Sequence, residues 1–277
     1  MNEHRPSVAD KRRTFRELHG AGCFAIPNPW DIGSACYLQS LGFKALASTS
    51  SGFAWSQARA DNAVSRERVL AHLAELVAAT DVPVNADFES GFAPDAAGVK
   101  QSVGLALEAG VAGLSIEDST GTASRPLLEP HEAVMRIRAA RAAIDKSGGD
   151  AVLVGRAECY LVGRPDLAET ISRLKSYANA GADCVYAPGI RSADDIRAIV
   201  DAVAPTPVNL LIGWPSELTL QAVAALGVRR VSVGGALARA AWGGFMRAAR
   251  AIADSGSFAG FADAASGQAL NELFAPR

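Results

Sequence analysis

The chain has 277 residues, 49% of them apolar, which is enough for a large buried core and too apolar for a disordered polypeptide. Its 27 basic and 29 acidic residues leave a formal net charge of -2, so no overall field recruits nucleic acid or an anionic membrane surface. Four scattered cysteines form no C-x-x-C pair and four dispersed histidines form no H-E-x-x-H, which argues against a disulfide framework, a structural zinc site and a histidine-held catalytic metal.

Residues 1–20 carry many charges and no apolar signal core, so the reading is a cytoplasmic protein that opens on a helix around residues 9–20. No stretch approaches the roughly 18 apolar residues of a membrane span. Eight short β-rich runs then follow in order: CFAIPN (23–28), ALASTS (45–50), VPVNAD (82–87), GLSIED (113–118), AVLVGRA (151–157), CVYAPG (184–189), PVNLLIG (207–213) and RVSVGG (230–235). Ala-rich amphipathic stretches separate them, with Ser65 a candidate N-cap and Pro130 suited to a first helical turn. Gly42, Gly110, Gly181 and Gly227 stand where a left-handed residue would stop a helix before the next strand. This alternation predicts a single-domain (β/α)8 barrel over residues 1–277, with a C-terminal helical extension over 236–277. No G-x-G-x-x-G opens the first helix, which weakens a Rossmann alternative.

A barrel of this kind carries its chemistry at the C-terminal ends of the strands. There the sequence places Asn28, Trp30 and Asp31; Ser50, Ser51 and Gly52; Asn85, Asp87 and Glu89; Glu117 and Asp118; and Arg156 and Glu158. Carboxylates gathered in one mouth repel one another unless a proton or a cation intervenes, and an oxygen-rich set suits Mg²⁺ or Mn²⁺. An arginine among them suits a carboxylate ligand, and backbone N–H groups of a Ser-Ser-Gly turn suit a second one. Together they predict a small, doubly anionic substrate. Asn209, in the seventh run, joins Trp30, Ser50, Ser51, Gly52 and Arg156 as a substrate-binding candidate. The lone Cys159 reads as packing, and Gly234-Gly235 as close packing rather than a phosphate turn.

The order NPWDIGSA, STSSGFA with RADN, VNADFESGF, GLSIEDS and GRAECYL resembles the isocitrate lyase/phosphoenolpyruvate mutase superfamily, from about Asn28 to the closing LNELFA. The resemblance implies an Mg²⁺-dependent (β/α)8 barrel that makes or breaks C–C or P–C bonds through an enolate of pyruvate type. It also implies a homotetramer in which a C-terminal helix is swapped between barrels. By the same resemblance Asp87 is the direct metal ligand, Glu117 and Asn85 hold the metal through water, and Glu89 is a further metal candidate. Asp61 is the acid of the mobile loop after strand two and Arg156 contacts the substrate, so Arg156, Asp61 and Glu117 are the catalytic candidates. Asn85 stands where many members have an aspartate, which lowers the charge offered to the metal.

The loop STGTASRPLLEP contains no cysteine, whereas isocitrate and methylisocitrate lyases carry an acid/base cysteine near it. It also lacks the Lys and Asn arrangement of the phosphonate enzymes. What remains is a lyase or decarboxylase of a small 2-oxo or 2-hydroxy dicarboxylic acid. A phosphonopyruvate-type P–C hydrolase or mutase, and an inactive 2-oxo acid-binding barrel, stay open as alternatives.

Overall fold

The computed structural model describes residues 5–275; the first four and last two residues of the expected terminal segments lie outside it. Eight strands are present, one inside each apolar run: β1 (Phe24–Ile26), β2 (Leu46–Ala47), β3 (Val84–Asp87), β4 (Gly113–Glu117), β5 (Val152–Arg156), β6 (Cys184–Tyr186), β7 (Val208–Leu211) and β8 (Arg230–Ser232). Helix α1 (Val8–Leu18) precedes them. Between strands run α2 (Ile32–Ser40), α3 (Ser50–Ser56), α4 (Arg66–Ala79), α5 (Ala96–Glu108), α6 (Pro130–Lys146), α7 (Leu167–Asn179), α8 (Ala193–Val203) and α9 (Leu220–Ala225). The tail forms α10 (Ala236–Ser255) and α11 (Gly267–Phe274).

All neighbouring strands pair in parallel, in the order β1-β8-β7-β6-β5-β4-β3-β2. The ends of that sheet meet where the Ala47 N–H donates to the Pro27 carbonyl at 3.1 Å, so the barrel closes through one backbone bond rather than a ladder. The expected (β/α)8 architecture is therefore the one observed.

Local chemistry explains the boundaries. The side chains of Asp31, Asp95, Asp166 and Ser192 accept a backbone N–H in the first turn of the helix that follows each. Ser65 occupies the N-cap of α4 but its hydroxyl makes no capping bond, and Pro130 opens α6 as its sequence position requires. Gly110 and Gly227 end helices at φ of +89° and +86°, a conformation that a side chain would resist.

Two apolar layers follow from the strand alternation. Leu114, Leu153 and Val185 face outward and meet the helices at Leu73, Ile137 and Leu174, where each fully buried aliphatic side chain stabilises the fold by roughly 1.5–3 kcal/mol. Inside the barrel Val152, Val154 and Ile26 pack on Phe15, which α1 inserts from below as a plug. The His19 and Phe24 rings stand edge-on beside it. Long α10 buries only Ala238 and leaves Trp242, Phe245 and Met246 exposed, while α11 rests against α2 of the same chain. No helix among the described residues is long and apolar enough to cross a membrane.

Candidate active site

The strands end in a cavity of ≈ 170 Å³ at the C-terminal mouth, lined by Asp61, Asp87, Arg156, Ser50, Ser51 and Asn85 among others. Asp87, the last residue of β3, is held from three sides. Its backbone N–H donates to Ser48 Oγ at 2.9 Å, its Oδ2 accepts the Ser50 N–H at 3.0 Å, and its Oδ1 accepts Arg156 Nη1 at 3.1 Å.

Arg156 closes β5 and organises the rest. Register pairs it with Glu117 on one side and Tyr186 on the other. Its Nη1 lies 3.2 Å from Glu117 Oε2, its Nε donates to Glu158 Oε1, and its guanidinium sits 5.1 Å from the centre of the Tyr186 ring. Glu117 and Glu158 stand behind Arg156 rather than on the cavity lining.

This grouping perturbs its own protonation. Burial pushes Glu117 well above the usual carboxylate range against the pull of Arg156, with Glu158, Asp87 and Glu89 adding to the rise. Burial likewise raises Glu158, again opposed by Arg156. Glu89 is pushed up to about 8 by burial, then by Asp87 and Asp61. Asp61, on the loop after α3, is raised by loss of water and by the charge on Asp87. Burial works against the charged form of Arg156, but Glu117, Glu158 and Asp87 outweigh it and hold the guanidinium charged. Five carboxyl groups thus gather around Arg156, a crowding of negative charge at the mouth that protons or an added cation would offset.

The donor set fits a metal held mostly by water. Among the described residues no group of three His, Cys, Asp or Glu side chains forms a ready-made metal cage. Mg²⁺ needs none, since it retains several waters and takes one or two direct carboxylates. Asp87 offers that carboxylate on the cavity lining.

The remaining sequence candidates divide. In the strand-two turn the Ser50 amide is taken by Asp87 and the Gly52 amide donates to Thr49 Oγ1 at 3.3 Å. A Cβ at Gly52 would lie 2.7 Å from Thr49 Cγ2, so close packing explains the glycine there. Trp30 lies off the cavity and lines an outer groove with Ser56, Ala241, Trp242 and Phe245. Asn209 is buried in the barrel, its Nδ2 donating to Ser232 Oγ at 3.0 Å. Asn85 reaches the cavity, but its Nδ2 donates to the Ala86 carbonyl at 3.1 Å. Glu89 adopts φ +47°, strained for a non-glycine residue, and its carbonyl accepts the Glu117 N–H at 3.0 Å. Asp31 is spent on capping α2. Asp118 is buried behind the mouth, where its carboxylate accepts Tyr177 Oη at 2.5 Å, Arg173 Nη1 at 3.0 Å and the Glu158 N–H at 2.8 Å.

Sequence reasoning passed over Tyr186, Ser115, Arg230 and Ser232, all on the cavity lining. The signal was available: Ser115 lies two residues before Glu117, and Ser232 two after Arg230, so each pair shares the inward face of its strand.

The family model described as phosphoenolpyruvate phosphomutase matches residues 15–253. The chain belongs to this family, within the isocitrate lyase/PEP mutase superfamily. A putative lyase/mutase of Burkholderia cenocepacia J2315 is 48% identical with a TM-score of 0.94, over 97% of this chain and 98% of that one. Oxaloacetate decarboxylase of Paraburkholderia xenovorans is 28% identical over 79% of this chain and 75% of its own length. The structure of an oxaloacetate acetylhydrolase with its product oxalate is 26% identical, with a TM-score of 0.84 over 96% of this chain and 93% of that one. These relatives, a putative lyase/mutase, a decarboxylase and an acetylhydrolase by name, are similar to this chain over most of its length.

Proposed function

We propose that the protein is a Mg²⁺-dependent carbon–carbon lyase or decarboxylase of a small 2-oxo or 2-hydroxy dicarboxylic acid, acting through the enolate of pyruvate. The observation that carries this reading is the convergence of Asp87, Arg156 and the Ser50 amide on one small cavity. Asp87 would hold the metal directly, with Asn85 and Glu117 reaching it through water; Mn²⁺ suits the same oxygens. When bound, the metal supplies a Lewis acid for the substrate's carboxylate and C2 oxygen.

The chain's own residues do the rest. Arg156, fixed by Glu117 and Glu158, offers a guanidinium to the negative charge that develops on the C2 oxygen of a 2-oxo diacid as its C3–C4 bond breaks and CO2 leaves. Tyr186 supports that guanidinium from below and walls the cavity. Asp61 approaches from the loop after α3, its raised affinity for protons suiting it to proton transfer at the mouth. The exposed Trp242, Phe245 and Met246 of α10 support a homo-oligomer built through that helix, which sedimentation would test by giving a mass of four chains.

The deciding measurement is pyruvate release from oxaloacetate and alkylmalates with and without Mg²⁺. Metal-dependent release supports the reading. Phosphorus release from phosphonopyruvate seen by ³¹P resonance, with no pyruvate from the diacids, would replace it with P–C chemistry.

A further inference from the structure

Arg230 opens β8, and its register sets it beside Phe24 of β1 and Asn209 of β7. Its side chain turns into the barrel, where the residue is only 2% exposed yet lines the same cavity as Asp87 and Arg156. Nε donates to Asn209 Oδ1 at 2.8 Å; Nη1 lies 3.3 Å from His19 Nε2 and 3.5 Å from Asn85 Oδ1. The guanidinium also lies 5.9 Å from the centre of the Phe15 ring. None of these partners carries negative charge. Among the described residues Arg230 has no ion pair, and its Nη2 has no hydrogen-bond partner.

An arginine cannot discard its proton as a buried lysine can, and a largely buried guanidinium with no anion beside it is costly. The contrast with Arg156, ringed by Asp87, Glu117 and Glu158, is plain. The floor offers a hydroxyl beside it: Ser232 Oγ accepts from Asn209 Nδ2 and lies on the same cavity lining. Asn85 matters here as well. An aspartate at that position would face Arg230 and neutralise it, whereas the amide leaves the positive charge to whatever enters the cavity.

We propose that Arg230, with Ser232, forms a second anion subsite on the cavity floor, which takes the distal carboxylate of a short dicarboxylic acid whose other end is held at the mouth by Arg156 and by the cation that Asp87 would carry. This assignment rests on the reading of the mouth given above and adds what selects diacids over monoacids.

Malate and lactate differ only in that distal carboxylate, so their binding isolates it. Calorimetry in chloride-free buffer with Mg²⁺ would compare both acids on the wild type and on Arg230→Gln. The wild type is expected to prefer malate by at least about 30-fold, and Arg230→Gln to reduce that preference to about threefold or less while lactate binding holds. A preference that survives in Arg230→Gln, or a wild type that binds both acids equally, overturns the subsite and leaves the mouth intact. A wild type that binds neither acid overturns both. Should Arg230→Gln fail to fold, a crystal structure of the wild-type malate complex decides. One malate carboxylate within hydrogen-bond reach of the Arg230 guanidinium supports the subsite, and both carboxylates at the mouth refute it.

Discussion

Arg156 donates to Asp87 Oδ1 at 3.1 Å, tying the last residue of β5 to the last residue of β3 across the top of β4. That bond makes the mouth one electrostatic unit rather than a ring of separate strand ends, because the same Nη1 also meets Glu117. Changes at either residue should therefore be felt by both the chemistry and the fold.

Asp87→Ala removes the carboxylate that receives both Arg156 and the Ser50 amide. Catalytic efficiency on the working diacid should fall by at least about 100-fold, comparable to loss of a principal electrostatic group. Mg²⁺ affinity, measured by calorimetry, should fall with it. Full activity with unchanged Mg²⁺ binding would refute the metal assignment.

Arg156→Leu leaves Glu117 and Glu158 buried without their cation. Breaking such a group by removing one partner costs about 3–5 kcal/mol, read as a lower denaturant midpoint. Because the two carboxyl groups already favour protonation, the loss should be smaller at pH 5 than at pH 8. A destabilisation independent of pH would mean that Arg156 contributes packing rather than charge.

Two buried histidines cost the fold stability in acid. Burial, and then the Arg230 charge, hold His19 at about 3; burial holds His72, stacked on Phe53 with ring centres 3.9 Å apart, at about 4, against the ordinary 6.5 of both. As the pH falls below 6.5 the unfolded chain takes up protons on both side chains and the folded chain does not, so stability drops by up to about 1.4 kcal/mol per pH unit per histidine. The loss ends once the pH passes the folded values. His72→Phe removes one titrating group and a buried Nε2 that has no partner, and should shallow the slope of unfolding free energy against pH; an unaltered slope would count against it.

Gly52→Ala inserts a methyl 2.7 Å from Thr49 Cγ2, 3.0 Å from Trp30 Cβ and 3.2 Å from Ala238 Cβ. Overpacking of this kind costs roughly 1–3 kcal/mol. The displaced turn carries the Ser50 amide away from Asp87, so the Michaelis constant for the diacid should rise together with the drop in melting temperature. A stable variant with an unchanged Michaelis constant would show that the turn does not position Asp87.

The chain's own order determined the strands, the helix stops and the strand-end location of Asp87, Glu117 and Arg156, because burial periodicity and turn chemistry are local properties. Strand alternation also marked which residues share a face, and so contained Ser115, Arg230 and Ser232 for anyone counting in twos. Closure of the barrel decided the rest. Only it could turn Trp30 away from the cavity, commit the Ser50 amide to Asp87 and bury Asp118 behind the mouth on Arg173 and Tyr177. Only it could bring Arg230 of β8 to Asn85 of β3, residues 145 apart in the chain. Such pairings depend on distances across the barrel that no local pattern encodes, and the cost of burying charge decides which of them matter.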